Sequence, residues 1–131
     1  SLDMYEAKIG IIEDNKEDYD VAKSVLQREG HAVVRRAKND DEARQLLEDI
    51  ALDPGMIDVL LVDGNLKRGE DTGRSAKEVL DRASDLGLNT FLIFHSMAHP
   101  SQYGIESGFD DAVIKGRMHY FSSLRSAVED L

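Results

Sequence analysis

The sequence predicts a doubly wound α/β fold, a parallel sheet covered by helices on both faces. Three observations carry this. Short apolar runs alternate with longer segments of helical period, five such units along 131 residues. The first run is continuous rather than alternating, as a strand buried on both faces requires. The runs also stop abruptly at polar residues, namely Glu13-Asp14, Asp63, Ser96 and Lys115.

Lys8-Ile9-Gly10-Ile11-Ile12 is the first strand and ends in Glu13-Asp14-Asn15. A helix follows from about Glu17 to Arg28, with Val21, Ala22, Val25 and Leu26 on one side and Gly30 closing it. His31-Ala32-Val33-Val34 reads as the second strand. Asn39, three residues before Glu42, gives a capping-box-like start to a second helix. Its Ala43, Leu46, Leu47 and Ile50 recur at helical spacing, and Asp53-Pro54-Gly55 breaks it.

The third strand, Ile57 to Val62, ends in Asp63-Gly64-Asn65, and a polar loop runs from Asn65 to Gly73. Ala76, Val79, Leu80 and Ala83 mark a third helix closed near Gly87. Phe91-Leu92-Ile93-Phe94 is the fourth strand, ending in His95-Ser96. The segment Pro100 to Glu106 contains Gly104 and leaves room for a helix of about two turns. Ala112-Val113-Ile114 is a short fifth strand ending at Lys115, and Phe121, Leu124, Val128 and Leu131 give the last helix its apolar stripe.

Composition narrows the function. The 26 Asp+Glu against 16 Lys+Arg leave a net charge of −10, which disfavours direct binding to nucleic acid or to an anionic membrane. The chain has no cysteine, which excludes disulfides, thiolate metal sites and cysteine nucleophiles and suits a cytoplasmic location. No apolar run approaches the roughly 20 residues that span a bilayer. Residues 1–6 read as an N-terminal extension without signal-peptide character, with Ser1-Leu2 a cloning remnant, and residues 7–131 as one domain.

In an open α/β sheet, ligands bind beyond the carboxyl ends of the strands where strand order reverses. There the sequence delivers Glu13, Asp14 and Asp63, with Ser96 and Lys115 beside them. Three clustered carboxylates repel one another unless a cation neutralises them, and magnesium, which prefers oxygen ligands and shares them with phosphate, is the simplest choice. A carboxylate can be the nucleophile that forms an aspartyl phosphate, and Asp63, alone at the end of its strand, is the best candidate. Ser96 could hydrogen-bond a phosphoryl oxygen and Lys115 could pair with another. Taken singly, Glu13-Asp14 also suits a helix N-terminus, Asp63-Gly64 a turn and Ser96 a helix cap; the joint pattern favours a site.

From Lys8 to Leu131 the chain resembles the receiver (response regulator) family of two-component signalling. The carrying residues are the acidic pair Glu13-Asp14, then Asp63, Ser96 and Lys115, each at its strand end and in order, with Gly73 and Gly108-Phe109-Asp110-Asp111. The resemblance implies a flavodoxin-like five-stranded sheet in the order 2-1-3-4-5. It implies that Asp14, Asp63 and the Asn65 backbone carbonyl bind Mg2+, with Glu13 acting mostly through water. It further implies a phosphohistidine donor on a sensor histidine kinase or histidine phosphotransfer protein, an unidentified downstream protein target, and a signalling phosphoacceptor rather than a conventional enzyme; a homodimer is open to it.

Three positions depart from the family pattern. Ala112 stands where an aromatic switch is usual, Gly116 where proline usually follows the lysine, and Met97 where a small residue is preferred. They keep a second class of function open, a scaffold that binds proteins without responding to phosphate. A flavodoxin-like nucleotide or coenzyme binder is more remote, since no glycine-rich phosphate loop follows the first strand. His95 and His99, four apart, lack a third ligand and read as surface histidines, and Lys67-Arg68 as a solvated loop.

Overall fold

The computed structural model describes residues 5–129. Five strands, β1 (Lys8–Ile12), β2 (Ala32–Ala37), β3 (Val59–Val62), β4 (Phe91–Ser96) and β5 (Asp111–Ile114), form one parallel sheet in the order β2-β1-β3-β4-β5. Helices α1 (Lys16–Arg28) and α4 (Tyr120–Glu129) cover one face, α2 (Asp40–Leu52) and α3 (Arg74–Asp85) the other. The predicted fold class and strand order are those observed.

The pattern of each strand explains the layering. Successive side chains leave a strand on opposite faces. Ile9, Ile11, Val59, Leu61, Ile93 and Val113 therefore pack under α1 and α4, whereas Ile12, Leu60, Val62, Leu92 and Phe94 pack under α2 and α3. Burying each of these side chains stabilises the fold by about 1.5–3 kcal/mol before entropy is counted. The order reverses at β1, whose neighbours are β2 and β3, so the carboxyl ends of β1 and β3 flank the crevice of this topology.

Local chemistry fixes the helix starts. Asn15 caps α1 by accepting from the Asp18 amide at 2.9 Å, and Asn39 caps α2 by accepting from the Glu42 amide at 2.8 Å. Glu42 answers by accepting from the Lys38 amide at 2.9 Å, a reciprocal bond shifted one residue from the usual box. Asp53 ends α2, and Pro54–Met56 forms a single 3-10 turn.

The structure corrects several expectations. The segment Pro100 to Glu106 is not a two-turn helix but a single 3-10 turn, Pro100–Tyr103, because His99 caps it and Gly104, at φ +73°, ends it at once. β2 runs on to Ala37, since Arg35 and Arg36 pair with Gly10 and Ile11. Val21 and Phe121 are exposed; α4 buries Leu124 and Val128 as expected, and adds Tyr120 and Ala127. The expected stripe residue Leu131 and the first four residues of the expected N-terminal extension lie outside the described residues.

Candidate functional site

Four strand ends bring the expected residues together. Glu13 leaves β1, Asp63 leaves β3, Ser96 ends β4 and Lys115 leaves β5, and all four are buried. Ligand oxygens of Glu13, Asp14 and Asp63 lie within 4.8 Å of one another. The Lys115 ammonium donates to Glu13 Oε1 at 2.7 Å and to Asp18 Oδ2 at 2.9 Å, and stands 3.7 Å from Asp63 Oδ2. Ser96 Oγ donates to Asp63 Oδ1 at 3.2 Å, and the Asn65 amide approaches the same oxygen at 3.4 Å.

Two buried carboxylates facing one ammonium leave an excess of negative charge. Burial, then the neighbouring Asp63, pushes the Glu13 carboxyl up to about 9, and Asp63 is raised as well, chiefly by burial. Lys115 is pulled down by burial but pushed further up by Asp63 and Glu13, so it stays charged. This donor set fits a hard divalent cation: three carboxylates offer oxygens only, Asp14 leaves the site open to solvent, and the repulsion between Glu13 and Asp63 is what a cation relieves.

The loop after β3 is braced from the other side. Asn65 Oδ1 accepts from the Thr72 and Gly73 amides, each at 2.8 Å, closing the loop on itself. Asn65 Nδ2 donates to the Tyr103 hydroxyl at 3.3 Å, and that hydroxyl donates to Asp71 at 2.5 Å. Gly73 sits at φ +72° under the Tyr103 ring, where an added Cβ would meet Tyr103 Cβ and Cγ at 2.6 Å. Only glycine meets both demands.

The three unusual positions also have places in the structure. Ala112 pairs across the sheet with Phe94, whose ring centroid lies 5.3 Å from that of Phe109 and 6.2 Å from that of Tyr103. Gly116 adopts φ +75°, which the fixed ring of a proline could not. Met97 is 64% exposed and lays its thioether over that glycine; a Cβ at residue 116 would lie 3.1 Å from Met97 Cε. Two departures in the sequence thus touch each other in space.

Asp18 and Arg36 were not singled out from sequence, and His95 was read differently. Asp18, one helical turn beyond Asp14, supplies the second carboxylate on Lys115. Arg36 donates through Nε to the Glu13 carbonyl at 3.2 Å and through Nη2 to the Asp14 carbonyl at 3.3 Å, fixing the acidic turn, while its guanidinium lies 4.4 Å from the Tyr19 ring. His95 is not a surface histidine: it is fully buried, with Nε2 2.6 Å from the Tyr120 hydroxyl. Burial, and then Lys115, holds its pKa down at about 3, so the ring is neutral. His99 is exposed as expected and caps the 3-10 turn by accepting from the Ser101 amide at 3.2 Å.

No protein-family model matches the sequence, and no curated protein does. Solved structures match almost end to end. The signal receiver domain of a NarL response regulator from Mycobacterium tuberculosis is 19% identical, covers 95% of this chain and 94% of its own, and has a TM-score of 0.72. The receiver domain of a histidine kinase from Arabidopsis thaliana, in a mutant form, is 18% identical over 98% and 93%, TM-score 0.72. A CheY-like response regulator receiver domain from Methylobacillus flagellatus is 16% identical over 96% and 98%, TM-score 0.71. The fold of this chain is therefore that of response regulator receiver domains. Among the described residues, no helix is long and apolar enough to cross a membrane.

Proposed function

We propose that this chain is a phosphorylation-dependent signalling receiver that accepts a phosphoryl group on Asp63 from a phosphohistidine of a sensor histidine kinase or phosphotransfer protein. The observation that carries the reading is the convergence of Glu13, Asp14 and Asp63 with Ser96 and Lys115 at the carboxyl edge of the sheet. Glu13, Asp14, Asp63 and the Asn65 backbone carbonyl would hold Mg2+, which when bound offsets charge on a transferring phosphoryl group. Asp63 is the nucleophile. Ser96 Oγ, already on an Asp63 oxygen, is within reach of a phosphoryl oxygen, and the Lys115 ammonium is positioned to pair with another after giving up part of its hold on Glu13 or Asp18.

Phosphoryl transfer asks the protein mainly for position and charge, and this site supplies both without a base. The attacking oxygen belongs to a carboxylate and needs no deprotonation once Asp63 is ionised. The domain would then signal through a partner and reset by hydrolysis of the acyl phosphate.

A second reading, the phosphate-independent scaffold, is favoured by one group of observations: Ala112 in place of the aromatic switch, and Met97 lying over Gly116 beside Lys115. Two-dimensional NMR with Mg2+ and a beryllium fluoride mimic distinguishes the two. The receiver reading expects mimic-specific shifts that spread beyond the Asp63 loop and vanish in Asp63→Asn. Binding of Mg2+ alone, with no response to the mimic, would favour the scaffold.

A further inference from the structure

Among the described residues, one buried side-chain polar atom lacks a hydrogen-bond partner, and it is Nδ1 of His95. A buried orphan of this kind asks for an explanation, because leaving a polar group unpaired costs free energy. His95 follows Ile93 on the face of β4 that packs beneath α1 and α4, so its ring lies behind the acidic site rather than in it. On one side Nε2 meets the Tyr120 hydroxyl at 2.6 Å, at the first residue of α4. On the other, Nδ1 stands 3.7 Å from Glu13 Oε1. Lys115 approaches the same Glu13 oxygen at 2.7 Å.

The tautomer follows from counting protons. A neutral imidazole carries one N–H. If that proton were on Nε2, Nδ1 would turn a bare lone pair toward Glu13 Oε1, an oxygen that already accepts from Lys115, and the Tyr120 hydroxyl proton would have to find another acceptor. If the Tyr120 hydroxyl donates to Nε2, its proton is satisfied and the imidazole proton lies on Nδ1, facing Glu13. The second arrangement leaves one donor short of its acceptor by less than the first leaves unplaced. At 3.7 Å the pair is outside hydrogen-bond range, but a shift of about 1 Å closes it.

We propose that His95 is a positioning residue for the metal-binding carboxylate of Glu13, its Nδ1–H donating to Glu13 in the cation-loaded site and its tautomer set by the Tyr120 hydroxyl. This rests on the reading of Glu13, Asp14 and Asp63 as a divalent-cation site. Carboxylates that ligate metals are ordinarily oriented by such outer hydrogen bonds, whose loss weakens binding. The same chain of contacts, Glu13 to His95 to Tyr120, ties the carboxylate to the start of α4.

The test combines histidine tautomer NMR with Mg2+ titration followed by chemical shift, without any phosphoryl donor. The unmodified protein should show His95 as the Nδ1–H tautomer before Mg2+ is added, with the Nδ1 proton moving downfield on titration. His95→Leu should bind Mg2+ at least about tenfold more weakly. His95→Asn, whose amide nitrogen can stand where Nδ1 stands, should recover most of the affinity; His95→Gln, which reaches the Nε2 position, should not. Tyr120→Phe should shift the tautomer toward Nε2–H while the thermal transition of the protein stays cooperative. An Nε2–H tautomer in the unmodified protein would overturn the proposal, as would equal Mg2+ affinity in the unmodified and His95→Leu proteins. Absence of Mg2+ binding by the unmodified protein would overturn the metal-site reading and this inference with it.

Discussion

The two sides of Asp63 are built differently. Toward α1 and α4 stand Glu13, Lys115, Asp18 and, behind them, His95 and Tyr120, a buried ionic cluster. Toward α3 stand Ser96, Asn65, Tyr103 and Asp71, joined by hydrogen bonds at the edge of solvent. The first side has charges that cannot all ionise together, so its state depends on protons and cations. The second side has a loop whose geometry is fixed by amides and one aromatic ring. The molecule thus keeps its charge balance and its loop geometry in different kinds of bond, and each can be perturbed separately.

The largest effect should come from the ionic side. Lys115→Met removes the ammonium that pairs with Glu13 at 2.7 Å and stands 3.7 Å from Asp63, and leaves two buried acidic groups without a cation partner among the described residues. The expected loss is about 3 kcal/mol at pH 9, where Glu13 is ionising, by denaturant unfolding, and it shrinks toward pH 5 as the carboxyls take up protons. A uniform loss across pH would mean that Lys115 acts through packing alone.

Next comes pH itself, in metal-free protein. Glu13 is raised from 4.5 to about 9, so the native state binds the extra proton, and the stability this gives is complete below 4.5 and is lost as pH rises through 9. His95, lowered from 6.5 to about 3, works the opposite way, and its contribution grows as pH rises and levels off above 6.5. Between pH 6.5 and 9 the Glu13 slope should therefore emerge, a fall of roughly 2 kcal/mol that Glu13→Gln flattens. A stability that rises over this window would contradict a Glu13 carboxyl held protonated by burial beside Asp63.

On the hydrogen-bonded side, Gly73→Ala forces a side chain into φ +72° and into the Tyr103 ring. A cost of about 1–3 kcal/mol is expected, with chemical-shift changes concentrated on Tyr103 and the Asn65 loop while the pH dependence stays that of the unmodified protein. Matching perturbation at His95 would show that the two sides are not separable. The smallest effect on stability, within about 0.5 kcal/mol, should come from Met97→Ala at an exposed position. Its expected signature is kinetic, a faster reaction of Asp63 with acetyl phosphate once the thioether no longer overhangs Gly116; an unchanged rate would remove Met97 from the access path.

Much of this was legible in the sequence because burial on both faces writes a continuous apolar run, and each run stops where the chain leaves the sheet. That is why Glu13, Asp63, Ser96 and Lys115 can be placed at strand ends from the sequence alone. The Asn39 cap was legible for the same local reason, a side-chain acceptor three residues before Glu42. His95 was not, because the fourth run was ended at Phe94; counting on to Ser96 would have put His95 on the same face as Ile93, under α4. Asp18, Arg36 and Tyr120 were hidden for a different reason. Their roles come from contacts of β2 with the turn after β1, of α1 with Lys115 after β5, and of α4 with β4, which no spacing along the chain records. The short 3-10 turn after β4 was foreshadowed by Pro100 and Gly104, whose conformations stop a helix from growing in either direction.

Intact mass after incubation with Mg2+ and acetyl phosphate tests the central claim most directly. The unmodified protein should gain the mass of one phosphoryl group, and Asp63→Asn should gain none. No gain in the unmodified protein, or a gain that persists in Asp63→Asn, would contradict the assignment of Asp63 as the acceptor.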